Sequence, residues 1–109
     1  KTKVSEAERG YLGITGLDVE DSDSQRYGMP TGVYISEVSR GGGAADAGIT
    51  KGSIIVGFNG ITIDSMESLQ EQLQYYKKGE EVTLTLQVPG DGGEYQEQTV
   101  DVTLGSKAQ

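Results

Sequence analysis

The chain has 109 residues, enough for one compact domain and too few for two of ordinary size, and it is acidic, with 17 Asp and Glu against nine Lys and Arg. The net charge of −8, with the basic residues scattered, argues against a nucleic-acid partner, since phosphate binding needs a basic patch, and disfavours acidic lipid surfaces. Histidine and cysteine are both absent, so neither a Ser-His-Asp triad, a disulfide framework nor a thiolate zinc site can be assembled within the chain.

In chain order, residues 1–10, KTKVSEAERG, are polar and unpatterned; they lack the apolar core of a signal peptide and are expected to be a linker entering a domain at Tyr11. Tyr11 to Leu17 alternates apolar residues with Gly and Thr, a short strand that spends Gly13 and Gly16 where bulk would fill a core. The following DVEDSDSQRYGMPTG is a polar connection in which Asp21 or Ser22 caps a single helical turn, closed by Gly28, Pro30 and Gly32. GVYISEV is a strand, and in RGGGAADAGI a triple glycine gives way to a short alanine helix stopped by Gly48.

SIIVGFNGITI holds two apolar runs separated by Asn59-Gly60, the dipeptide suited to positive φ at both centres of a type I′ turn. Asp64 and Glu67 are spaced as a capping box ahead of the one long helix, in which Met66, Leu69, Leu73 and Tyr76 recur on one face; Lys77, Lys78 and Gly79 form its stop. EVTLTLQV and EYQEQTVDVTL alternate as strands and pair most simply as a hairpin through Gly90 to Gly93. The expected fold is α+β: a partly open small β-barrel or sandwich of five to six strands, with one long helix and one short. No run approaches the roughly 18 apolar residues of a membrane-spanning helix.

YLGI, YGMPTGVYISEV, GGGAADAGITKGSIIVGFNG and a capped helix ending at Gly79, in this order from Tyr11 to Leu104, resemble a PDZ domain, and within that family the type found in HtrA (Deg) serine proteases. Two positions depart from the family pattern, Gly43 where Pro is usual and Ser53 where Asp is usual, and neither is expected to touch the groove. The resemblance implies a PDZ domain over residues 11–105, a linker over 1–10 from an upstream protease domain, and a tail over 106–109. It also implies binding of C-terminal or unfolded apolar peptide segments by strand addition to a sheet edge.

By position, the amides of Leu12, Gly13 and Ile14 would grip the peptide carboxylate. Tyr11, Thr15 and Gly16 would complete the strand, Gly13 and Gly16 would keep the approach clear, and Arg9 would add long-range attraction. Leu12, Ile14, Leu69 and Leu73 would build the apolar socket. No catalytic residue, metal or cofactor is expected in this chain. Its parent would be a trypsin-like serine endopeptidase in an extracytoplasmic compartment, compatible with an oligomer, meeting a membrane only through parts outside this sequence.

The residues leave alternatives open. Leu69 and Leu73 form a stripe equally suited to the core, and another register would turn Ser68, Gln72 and Tyr75 to the ligand. Asp18, Glu20, Asp21 and Asp23 lack the glycine and terminal glutamate of an EF-hand loop and are expected to be solvated. Neither glycine cluster is followed by Gly-Lys-Ser/Thr, so turn chemistry suffices for both. The module could equally belong to another processing protease or a scaffold, or its groove could serve intramolecular or oligomer contacts alone.

Overall fold

The computed structural model describes residues 2–106, so the expected tail lies outside the described residues from Lys107 onward, as does Lys1 of the expected linker. Six strands form one antiparallel open sheet: β1 (Ile14–Asp18), β2 (Val33–Val38), β3 (Ile54–Phe58), β4 (Ile61–Thr62), β5 (Glu81–Pro89) and β6 (Tyr95–Thr103). The order is β1-β2-β3-β5-β6, with β4 paired to β3 beside that path. Both β1 and β6 are therefore edges.

Local chemistry explains most of these elements. Asn59 and Gly60 both have positive φ, 49° and 83°, which turns the β3–β4 hairpin tightly with Phe58 opposite Ile61. The Asn59 side chain then accepts from Thr83 N at 2.8 Å and donates to the Tyr76 hydroxyl at 3.0 Å, tying the turn to β5 and to the chain after the long helix. β5 and β6 pair over nine residues, from Glu81 opposite Thr103 to Pro89 opposite Tyr95, as the alternation predicts. Val82, Leu84, Leu86 and Val102 point inward and meet Val33, Ile35, Ile55, Phe58 and Leu69 in one hydrophobic cluster.

Three helices accompany the sheet: α1 (Asp21–Tyr27), α2 (Gly43–Asp46) and α3 (Met66–Leu73). α1 is a correction to the expected single turn. It runs seven residues, starts after Glu20 rather than after Asp21 or Ser22, and buries no residue, so no apolar period marks it. Asp21 and Asp23 in its first turn and Arg26 in its last suit the helix dipole, and Gly28, in the left-handed region, stops it.

α3 is shorter than its apolar stripe, because Tyr75 and Tyr76 close with tighter bonds to Gln72 O and Leu73 O. Its capping box is also corrected: Ser65 caps and Ser68 answers, in place of Asp64 and Glu67. Ser68 N donates to Ser65 Oγ at 3.1 Å and Ser65 N to Ser68 Oγ at 3.2 Å.

The segment before Tyr11 lies on the end of α3. Val4 N donates to Gln74 O at 2.8 Å, Gly10 N to Tyr76 O at 2.9 Å, and Lys78 N to Glu8 O at 3.0 Å, around a short 3-10 turn at Glu6–Glu8. Arg9 is turned back here, its Nε donating to Val4 O at 3.0 Å. Among the described residues, no helix is long and apolar enough to cross a membrane.

Candidate functional site

β1 is bonded to β2 on one side only. Gly13 O accepts from Ser39 N at 2.8 Å, Thr15 O from Ser36 Oγ at 3.0 Å, and Val19 N donates to Gly32 O at 3.0 Å, so the odd-numbered residues turn their backbone groups to β2. Strand alternation then leaves the N–H and C=O groups of Ile14, Gly16 and Asp18 on the open edge. α3 packs beside this strand, where Met66 N donates to the Asp18 carboxylate at 2.7 Å. An unpaired edge with a helix along it is a groove.

At the start of β1 the loop backbone is fixed one plane at a time. Tyr11 O accepts from Gly43 N at 3.1 Å and from Gly105 N at 3.0 Å, Leu12 O from Ala44 N at 2.9 Å, and Gly13 O from Ser39 N. No peptide bond is cis, and in a trans peptide the carbonyl and the next N–H point in opposite directions. Three carbonyls aimed at β2 and α2 therefore aim the N–H groups of Leu12, Gly13 and Ile14 the other way. Among the described residues, those of Leu12 and Gly13 join no backbone hydrogen bond. Three convergent amides beside an open edge form a nest for an anion such as a carboxylate.

The two glycines of this stretch serve the protein's own packing, a correction to the expected clear approach for a ligand. Gly13 has φ +77°, and a Cβ on it would lie 2.8 Å from Gly42 Cα. A Cβ on Gly16 would come within 2.5 Å of both Met66 Sδ and Val33 Cγ1, so its bareness seats the first residue of α3. Gly43 is a second correction, since it does bear on the groove. Its N–H, which the usual proline lacks, orients the Tyr11 peptide plane, and a Cβ there would sit 2.5 Å from Thr103 O.

Of the expected socket, Leu12 and Leu69 are 3% and 1% exposed and belong to the core cluster, while Ile14 and Leu73 are partly buried and packed against it, as is Met66. Thr15 is exposed and Tyr11 half-buried, held to Gly105 by a bond in each direction. In the other register, Ser68 is engaged in its capping box. Gln72 and Tyr75 line a cavity of about 340 Å³ with Ile61 and Tyr76, and no wall of it comes from β1. Asp18, Glu20 and Asp21 border another cavity, of about 570 Å³, with Asp64 at the far end of β1. Among the described residues, no group of three or more such side chains could hold a metal ion. Residue types did not single out Met66, Ser39 or Ala44, whose roles rest on contacts distant in sequence.

The comparisons agree with this geometry. The chain is 32% identical over 105 residues to the periplasmic pH-dependent serine endoprotease DegQ of Escherichia coli K12, an alignment covering 94% of this chain and 23% of that protein, so the chain spans about a quarter of its relative's length. A structure of the HtrA-type protease AlgW with a decapeptide superposes with a TM-score of 0.74 at 18% identity, over 94% of this chain and 30% of that one. The HtrA3 PDZ domain bound to a phage-derived ligand, FGRWV, superposes with a TM-score of 0.71 at 21% identity, over 88% of this chain and 85% of the other. The family model for the PDZ domain matches residues 1–87, and with this fold and edge the chain belongs to the PDZ domain family.

Proposed function

We propose that this domain captures the C-terminus or an exposed apolar segment of a peptide as an added strand on β1, with the carboxylate on the amides of Leu12, Gly13 and Ile14. The observation that carries the reading is the pinning of the Tyr11, Leu12 and Gly13 carbonyls, which leaves those three amides pointing from the start of an unpaired edge. Each charge-assisted bond is worth about 1.5 to 3 kcal/mol before desolvation. Ile14, Met66 and Leu73 offer apolar surface for the last side chain. The resemblance to DegQ supports a parent that is an extracytoplasmic serine endopeptidase, its catalysis lying in another part and its chain entering through residues 1–10.

The test is titration of one apolar-ended peptide as free acid and as amide. The acid should bind at least about tenfold tighter, near 1.4 kcal/mol. Equal affinities would remove the carboxylate reading.

A further inference from the structure

The geometry points to a second apolar subsite on the outer face of β1, built from Leu17 and Tyr34, for the fourth residue from the C-terminus of a strand-added peptide. This inference rests on the proposed function, because the held carboxylate sets the register. With its terminus on the amides of residues 12–14, an antiparallel peptide lays its last residue opposite Ile14, the next opposite Thr15, the third from the end opposite Gly16 and the fourth opposite Leu17. Directly opposed residues project to the same face of a sheet. The last and third residues therefore face α3 with Ile14 and Gly16, while the second and fourth face away from it.

At the fourth place the surface is apolar and open. Leu17 is 57% exposed, unusual for a leucine within a strand. Its partner across β2 is Tyr34, which lies on the outer face because Val33 and Ile35 on either side of it are fully buried. A cavity of about 150 Å³ opens beside the pair, with Met29 in its wall and the Asp18 and Asp23 residues among its borders. A ligand side chain there would complete a row of three across neighbouring strands: ligand, Leu17, Tyr34. Leu17 directs its backbone to β2, so its pairing with the ligand is of the type without direct hydrogen bonds, which brings side chains closer, with Cα atoms about 4.5 Å apart. The row through Thr15 continues instead to Glu37 and offers no such surface. The ligand class is thus a peptide with a bulky apolar or aromatic residue at the fourth position as well as an apolar terminus.

The test uses peptides GSGFSAV and GSGSSAV, each as free acid and as amide, titrated onto the protein and onto Leu17→Ser, with a thermal melt of both proteins. As free acids the Phe peptide should bind about three- to fivefold tighter than the Ser peptide, and Leu17→Ser should erase the difference. Equal binding of the two acids, with the acids still tighter than the amides, overturns the subsite and leaves the groove reading intact. Amides binding as well as acids overturn the register and the subsite with it. A Lys peptide, GSGKSAV, outbinding the Phe peptide assigns the cavity to the carboxylates of Asp18 and Asp23 and overturns the apolar class.

Discussion

The Asp18 carboxylate accepts a hydrogen bond from Met66 N at 2.7 Å across 48 residues of sequence, so the last residue of the edge strand caps the first residue of the groove helix. It satisfies one of the four orphan amides of α3 and places negative charge at the positive end of the helix dipole. The groove's width is thereby set at one end by a side chain belonging to the strand itself.

Asp18→Ala should therefore lower stability by about 0.5 to 1 kcal/mol, the low end of the range for losing a cap because the site is exposed. Asp18→Asn keeps an acceptor and should lose less than half as much. Chemical denaturation of the two variants beside the parent measures this. Equal losses would mean that charge rather than the acceptor carries the effect.

Replacing Gly43 with the residue usual in the family should harm this protein. Proline suits the first position of a helix when its N–H would be unused, but here that N–H holds Tyr11 O at 3.1 Å and a Cβ would lie 2.5 Å from Thr103 O. Gly43→Ala tests the crowding alone and should cost about 1 to 2 kcal/mol. Gly43→Pro adds a lost donor and should cost about 1 kcal/mol more. It should also weaken binding of free-acid peptides more than of amides, because the Leu12 amide loses its fixed direction. Melts and paired titrations measure both effects, and a proline variant as stable as the parent would refute the role given to this N–H.

Much of this architecture is legible in residue order, and what is not has a common cause. Asn59-Gly60 marks its turn because only a few residues accept positive φ at both centres, and the β5–β6 hairpin announces itself by alternation. α1 has no such mark, since a helix that buries nothing has no apolar period to read. Gly13 and Gly16 are visible as oddities in a strand, but what fills the space beside them, Gly42 and Met66, comes from elements 29 and 50 residues further on by their numbers. The Asp18 cap and the Gly43 donor are likewise products of topology. Local spacing favoured Asp64 and Glu67 for the cap of α3, and Ser65 with Ser68, one step along, took the role.

The apolar stripe of α3 should divide between stability and binding. Leu69, 1% exposed within the core, should cost about 2 to 5 kcal/mol as Leu69→Ala. Leu73 is only partly buried, so Leu73→Asn should leave a folded domain that has lost most of its preference for an apolar last residue. A thermal melt beside titration with Val-ended and Ser-ended peptides separates the two roles. Unfolding of the Leu73 variant at room temperature would move that residue wholly into the core.

The last prediction concerns charge at the far end of the groove. The register that lays a peptide's last residue opposite Ile14 brings its fifth residue from the end opposite Asp18, beside the cavity bordered by Glu20, Asp21 and Asp64. Asp18 already caps α3, so the remaining carboxylates supply most of the field that an incoming side chain would meet. Lys at the fifth and sixth positions from the end should strengthen binding and Glu should weaken it. Contacts of this exposed kind are worth only about 0.2 to 1 kcal/mol each. They should also fade as the Debye length falls from about 10 Å at 0.1 M salt to about 3 Å at 1 M, whereas the apolar and carboxylate contributions should persist better. The measurement is a pair of peptides with identical last four residues, Lys-Lys against Glu-Glu before them, titrated at both salt concentrations. A Glu peptide that binds as well as the Lys peptide at low salt would mean that these carboxylates do not border the path of the ligand, and the register drawn along β1 would have to shift.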